Sequence, residues 1–139
     1  MKNNKEVVSK EVALSELESF VNSNVKKPVS IENLEDFYPD VLDAIIDGYL
    51  SFEDGSPIYT LKEPIKNDKG DVSIIEIKFK TRIKPTTLAD LAKGLHPQTE
   101  AYTLTLRMTS FIIGQPMVML DKFGRYDFDA ISQIATVFS

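Results

Sequence analysis

Residues 49–61 read YLSFEDGSPIYTL and residues 72–81 read VSIIEIKFKT. Tyr49-Leu50-Ser51-Phe52 and Ile58-Tyr59-Thr60-Leu61 are two β-rich runs joined through Glu53-Asp54-Gly55-Ser56. Asp-Gly offers two residues that tolerate positive φ, which the tight turn between twisted antiparallel strands demands. Residues 64–70 are polar, and Asn67, Asp68 and Gly70 mark a second turn. In the second stretch Ile75, Ile77 and Phe79 alternate with Glu76, Lys78 and Lys80, the period of a half-buried strand. The two stretches predict a three-stranded antiparallel meander over residues 49–82. One face is wet, and the other must be covered.

The downstream sequence supplies the cover. Thr86 or Thr87 is placed to cap a helix carrying Leu88, Leu91 and Leu95. Pro97 opens a longer helix with Ala101, Leu104, Met108, Phe111 and Ile112 on one face, flanked by Tyr102, Leu106, Thr109 and Ile113. So wide an apolar surface predicts a central, well-buried helix. Gly114 stops it, and Pro116 opens a short helix over Met117, Val118 and Leu120. A last helix is expected over residues 127–138, with Phe128, Ile131, Ala135 and Phe138 on one side. Asp127 and Asp129 fall in its first turn, where negative charge is favourable.

Upstream, residues 1–9 are expected to be disordered. Residues 10–23 have helical spacing through Val12, Leu14, Leu17, Phe20 and Val21, and Ser15 with Glu18 forms a capping box if that helix starts late. Ser30 caps a short helical turn over Ile31–Phe37. Pro39 opens a helix with the stripe Val41, Leu42, Ile45 and Ile46, which Gly48 ends. The fold class is therefore α+β. A meander packed against C-terminal helices spans residues 49–139, preceded by an acidic N-terminal helical arm, residues 1–48.

At 139 residues the chain has room for one domain. It contains no Cys, which excludes disulfide frameworks and thiolate chemistry, and a single His, at position 96, which excludes a His-rich metal site. The formal net charge of −5 argues against a general polyanion binder. The charge is uneven: residues 1–55 hold 5 basic and 12 acidic side chains, so the acidity sits in the arm. No apolar leader opens the sequence, and no apolar run approaches the ~18 residues of a membrane span. These readings place the chain in the cytoplasm, off the membrane.

No catalytic constellation emerges. Asp40, Asp43 and Asp47 share a helix face and have the charge to hold a hard cation or a basic partner, although a solvated face is the plainer reading. Asp127-Phe128-Asp129 starts like a calcium loop but lacks its Gly and closing Glu. The six glycines form no phosphate-binding loop, and Ser9-Lys10 lies in the ragged terminus. His96 reads as a loop or helix-cap residue. Lys78, Lys80, Arg82 and Lys84 make a basic strip, a candidate contact for nucleic acid or for the acidic arm, in the same chain or another copy; the plainer reading is a lysine-guarded strand. The expectation is a non-enzyme with no metal and no cofactor.

From Ile58 onward an ordered set of motifs stands out. Tyr59-Thr60-Leu61-Lys62-Glu63-Pro64-Ile65 leads into a turn, and a strand ends in Phe79-Lys80-Thr81-Arg82. Pro85-Thr86-Thr87-Leu88-Ala89-Asp90-Leu91 follows, then Thr109-Ser110-Phe111-Ile112-Ile113-Gly114-Gln115-Pro116. Leu120-Asp121-Lys122-Phe123 precedes Asp127 and Ala130-Ile131, with an aromatic at Phe138. This order resembles the small tail assembly chaperones of contractile-tailed, Mu-like bacteriophages, while the first fifty or so residues depart from the shorter members. The resemblance implies a non-catalytic factor in the bacterial host's cytoplasm. It would bind the helical tape-measure protein and recruit tail tube subunits; a homo-oligomer is a separate expectation from the uneven charge. The most apolar stretch, Phe111, Ile112, Ile113, Met117, Val118 and Met119, is the candidate partner-binding surface. The alternatives are a structural tail or baseplate component, a nucleic-acid-associated phage regulator using the Lys78–Lys84 strip, and a small ligand or enzyme domain using Asp or Tyr side chains.

Overall fold

The computed structural model describes residues 8–80, 83–96 and 98–138. Expectations for residues 1–7, Thr81, Arg82 and Pro97 lie outside them. Strands β1 (Leu50–Glu53) and β2 (Ser56–Lys66) meet at Asp54-Gly55, with φ of 53° and 82°. Both values are positive, as a two-residue hairpin of matching twist requires. β3 (Val72–Lys78) pairs antiparallel with β2 in the order β1-β2-β3, so the meander forms as expected. At the second turn the Asn67 side chain accepts from the amides of Lys69 (2.9 Å) and Asp71 (3.0 Å).

The β2–β3 pairing departs from regular register twice, between Thr60 and Ile65 and again between Ile65 and Lys66. β2 continues through Pro64 to Lys66, where a polar linker was expected. Thr60 lies opposite Glu76 and Ile65 opposite Ile74, so β2 advances five residues while β3 advances two. Leu61–Pro64 thus stand against Ile75 alone, a bulge of three extra residues that breaks the inward alternation. Ile74, Ile77 and Phe79 turn toward the core, and Ile75 is left 53% exposed instead of joining them.

Seven helices accompany the sheet among the described residues: α1 (Lys10–Asn24), α2 (Ile31–Phe37), α3 (Pro39–Ile46), α4 (Pro85–Ala92), α5 (Ala101–Ile113), α6 (Met117–Leu120) and α7 (Arg125–Val137). The first residues of the described chain are ordered: the Val8 amide bonds the Ile46 carbonyl, and Ser9 caps α1 by accepting from the Val12 amide at 3.3 Å. Ser15 therefore lies inside the helix and caps nothing. Pro85 stands at the first turn of α4 with Lys84 as its cap, so Thr86 and Thr87 are also internal.

The N-terminal helices and the C-terminal half share one core. α1 contributes Leu17, Phe20 and Val21, and α3 contributes Val41, Leu42 and Ile45. They meet Tyr59 and Ile77 of the sheet and Ile131 and Ile134 of α7. The Phe20 ring touches Phe52 of β1 (centroids 5.1 Å apart) and Phe138 just past α7 (5.6 Å). α3 has no side-chain cap of its own. Gln133 of α7 serves instead: its Oε1 accepts from the amides of Asp40 (3.1 Å) and Val41 (3.2 Å), and its Nε2 donates to the Asp40 carboxylate at 2.7 Å.

Candidate functional site

α5 is not the buried central helix its sequence predicts. Only Thr109, Ile112 and Ile113 of its thirteen residues are buried. From Ile83 to Met108 no described residue is buried, although Leu88, Leu91, Leu95, Leu104, Leu106 and Met108 all fall there. The reason is architectural: the C-terminal turns of α5 reach the core, while its N-terminal turns overhang it with α4 alongside.

The overhang opens a groove. Gly114, at φ 69°, ends α5; its amide bonds the Phe111 carbonyl, and the Gln115 amide bonds the Ser110 carbonyl. Positive φ is a conformation glycine adopts without a Cβ penalty. The Ser110 hydroxyl donates to the Gln115 carbonyl and tightens the reversal. α6 then stands beside α5, and α7 closes the third side. Tyr102, Leu106, Leu120, Phe123 and Phe128 line an open groove of about 390 Å³, with Asp121 and Arg125 at its rim. Arg125 pairs with Asp129 one turn on, at 3.0 Å. Tyr102 is 69% exposed at one end of the groove. On α6, Val118 is 64% and Met117 40% exposed. Three aromatic rings with two charges at the edge suit an amphipathic helix laid on its apolar face.

The six apolar residues singled out in the sequence separate into two sets. Ile112 and Ile113 are buried in the core, so they are withdrawn as partner contacts. Met117 and Val118 are exposed, Phe111 and Met119 half-buried. The Lys80 ammonium sits 4.1 Å above the Phe111 ring, a cation–π contact. Within the basic strip, Lys78, Lys80 and Lys84 are exposed, and Arg82 lies outside the described residues. The ion pairs among the described residues, Lys10–Glu35 and Arg125–Asp129, do not join the strip to the acidic helices. His96 is an exposed loop residue whose amide donates to the Glu100 carboxylate at 2.8 Å.

Asp127 has a role the sequence reading missed. It is fully buried. Its Oδ1 accepts from the Tyr59 hydroxyl (2.8 Å) and the Lys62 amide (2.9 Å), and its Oδ2 from the Glu63 amide (3.0 Å). The bulge of β2 takes Lys62 and Glu63 off the strand ladder, and one carboxylate satisfies both amides. A signal for this was present: Asp127 stands at i, i+3, i+4 and i+7 with Ala130, Ile131 and Ile134, on the stripe of α7 that is buried. Nearby, the Tyr126 hydroxyl donates to Asp47 at 2.7 Å and the Lys62 ammonium lies 4.6 Å from the Tyr126 ring centroid. Burial, then the bond to a carboxylate, pushes the Tyr59 and Tyr126 phenols well above the ordinary tyrosine range. Burial, then the charges of Asp129 and Asp43, raises Asp40. Of the three aligned carboxylates, Asp40 and Asp47 thus tie α3 to α7, and Asp43 stays exposed.

No group of His, Asp or Glu side chains among the described residues is arranged to hold a metal ion. No described helix is long and apolar enough to cross a membrane. Comparison with known proteins finds no matching family model, no similar curated protein and no similar solved structure.

Proposed function

We propose that this chain is a phage or prophage tail assembly chaperone, a non-catalytic factor that holds an amphipathic helix of a tape-measure-type protein before the tail is built. The observation that supports this reading is the open groove of Tyr102, Leu106 and Phe128 over buried Leu120 and Phe123, together with exposed Met117 and Val118 on α6, the helix that supplies Leu120. A monomeric soluble protein rarely leaves a contiguous apolar surface uncovered without using it. A flexible methionine exposed on the same short helix α6 suits a surface that accepts helices of differing side chains. The motif order that resembles the chaperones runs through the same elements, from the bulged strand β2 to α7.

The test is to search the flanks of the gene for a long helix-rich reading frame and to co-express the tagged chain with its product. Copurification is expected, and Tyr102→Glu with Val118→Asp should abolish it while leaving the thermal midpoint within a few degrees. Failure to copurify, or a complex indifferent to both substitutions, overturns the reading. Recovery of the chain from finished virions points instead to a structural tail component.

A further inference from the structure

The geometry points to α4 as a strap that opens as a unit while the rest of the molecule stays folded, masking the stripe of α5 beneath it. This is independent of the groove, which lies on another side of α5. Three observations carry it. First, α4 contributes no buried residue, whereas Ile83 just before it packs against the core and marks where the strap is anchored. Second, among the described residues the side-chain hydrogen bonds joining residues 85–95 to another element come from one group. Arg107 Nη1 donates to the carbonyls of Leu91 (2.8 Å) and Lys93 (3.1 Å), the carbonyls at the end of α4. A guanidinium capping a helix C-terminus satisfies orphan acceptors and meets the negative end of the helix dipole. Third, α4 packs on α5, and half-buried Leu104 and Met108 stand three before and one after Arg107 there, so the latch sits on the stripe they form.

An eight-residue helix does not hold its shape alone in water. Release of Arg107 therefore melts α4, and the open state exposes the stripe over a disordered strand of chain. Gly94, at φ 79°, follows the latch point and leaves the exit from α4 unhindered by a Cβ.

Hydrogen exchange read by mass spectrometry on the full chain tests this. Amides of residues 86–95 are expected to exchange at least about 100-fold faster than those of α7. Arg107→Ala should speed α4 exchange by a further factor of about 10 with α7 unchanged, and Arg107→Lys by less. Oxidation by dilute peroxide gives a second readout: Met108 should oxidise faster in Arg107→Ala than in the wild type, with Met117 as the unchanged reference. The proposal is overturned if α4 is protected as well as α7, if Arg107→Ala loosens both together, or if it leaves α4 exchange where it was. An unaltered Met108 rate alongside faster α4 exchange overturns the masking of the stripe.

Discussion

α5 and α7 have the same length and opposite fates. α5 is the more apolar of the two, yet it buries three residues, whereas α7 buries six, one of them Asp127. Apolar content therefore does not rank these helices by depth. What sets α7 inside is a one-sided apolar stripe whose buried and flanking polar groups all find partners. Asp127 holds the bulge of β2, Gln133 caps α3, and Tyr126 reaches Asp47. Each tie satisfies groups that burial would otherwise leave without partners. α5 is tied to the sheet end at its last turn, where its Ile112 carbonyl accepts from the Lys80 amide, while its mid-helix Arg107 reaches only the half-exposed α4. Its first turns keep their apolar side chains for other uses.

The comparison is broken most directly at Asp127. Asp127→Ala leaves the buried Tyr59 hydroxyl and two partly buried amides unpaired, and should cost about 2–4 kcal/mol in chemical denaturation. Asp127→Asn keeps acceptors for part of the set and should cost less. A loss below about 1 kcal/mol would mean that the bulge finds other partners.

The buried phenols give the next effect. Tyr59 and Tyr126 hold their protons in the folded protein past the ordinary value of 10.0, at which the unfolded chain releases them. Folding therefore has its full stability below pH 10 and loses it as the pH rises. The loss approaches about 1.4 kcal/mol per pH unit above pH 10 for the fully buried Tyr59, and solvent screening leaves half-buried Tyr126 a smaller share. Urea denaturation between pH 9 and pH 11 should show this slope, and Tyr59→Phe should remove one tyrosine's share. An unchanged slope in that variant would place the titration elsewhere.

Gln133→Ala should cost about 1–2 kcal/mol, the worth of a helix N-cap with a further hydrogen bond. Hydrogen exchange at the start of α3 should rise with it. The smallest effect belongs to the overhang. Leu88→Ser and Tyr102→Ser should each change stability by no more than about 0.5–1 kcal/mol. A larger loss would show that the overhang carries part of the core.

The division also marks what could be read in advance. The Asp54-Gly55 hairpin, Pro39 opening α3 and Gly114 ending α5 were legible because each is settled by its immediate neighbours. The bulge of β2 was not, because its acceptor lies 64 and 65 residues further along. The periodicity of α5 correctly marked an apolar helix and wrongly implied a buried one, since period reports a face and not what lies against it. The candidate partner surface was legible in part. Met117 and Val118 were found within a continuous apolar stretch, while Tyr102, Phe123 and Phe128 come from three separate segments that only the fold assembles.

The contacts of α7 also order events during synthesis. Residues 49–60 can close their hairpin as soon as they emerge, since everything it needs is local. The second half of β2 and the start of α3 wait for side chains made much later, at positions 127 and 133. The growing chain therefore carries an early half with open amides until its last helix arrives, and only then does the structure close around it.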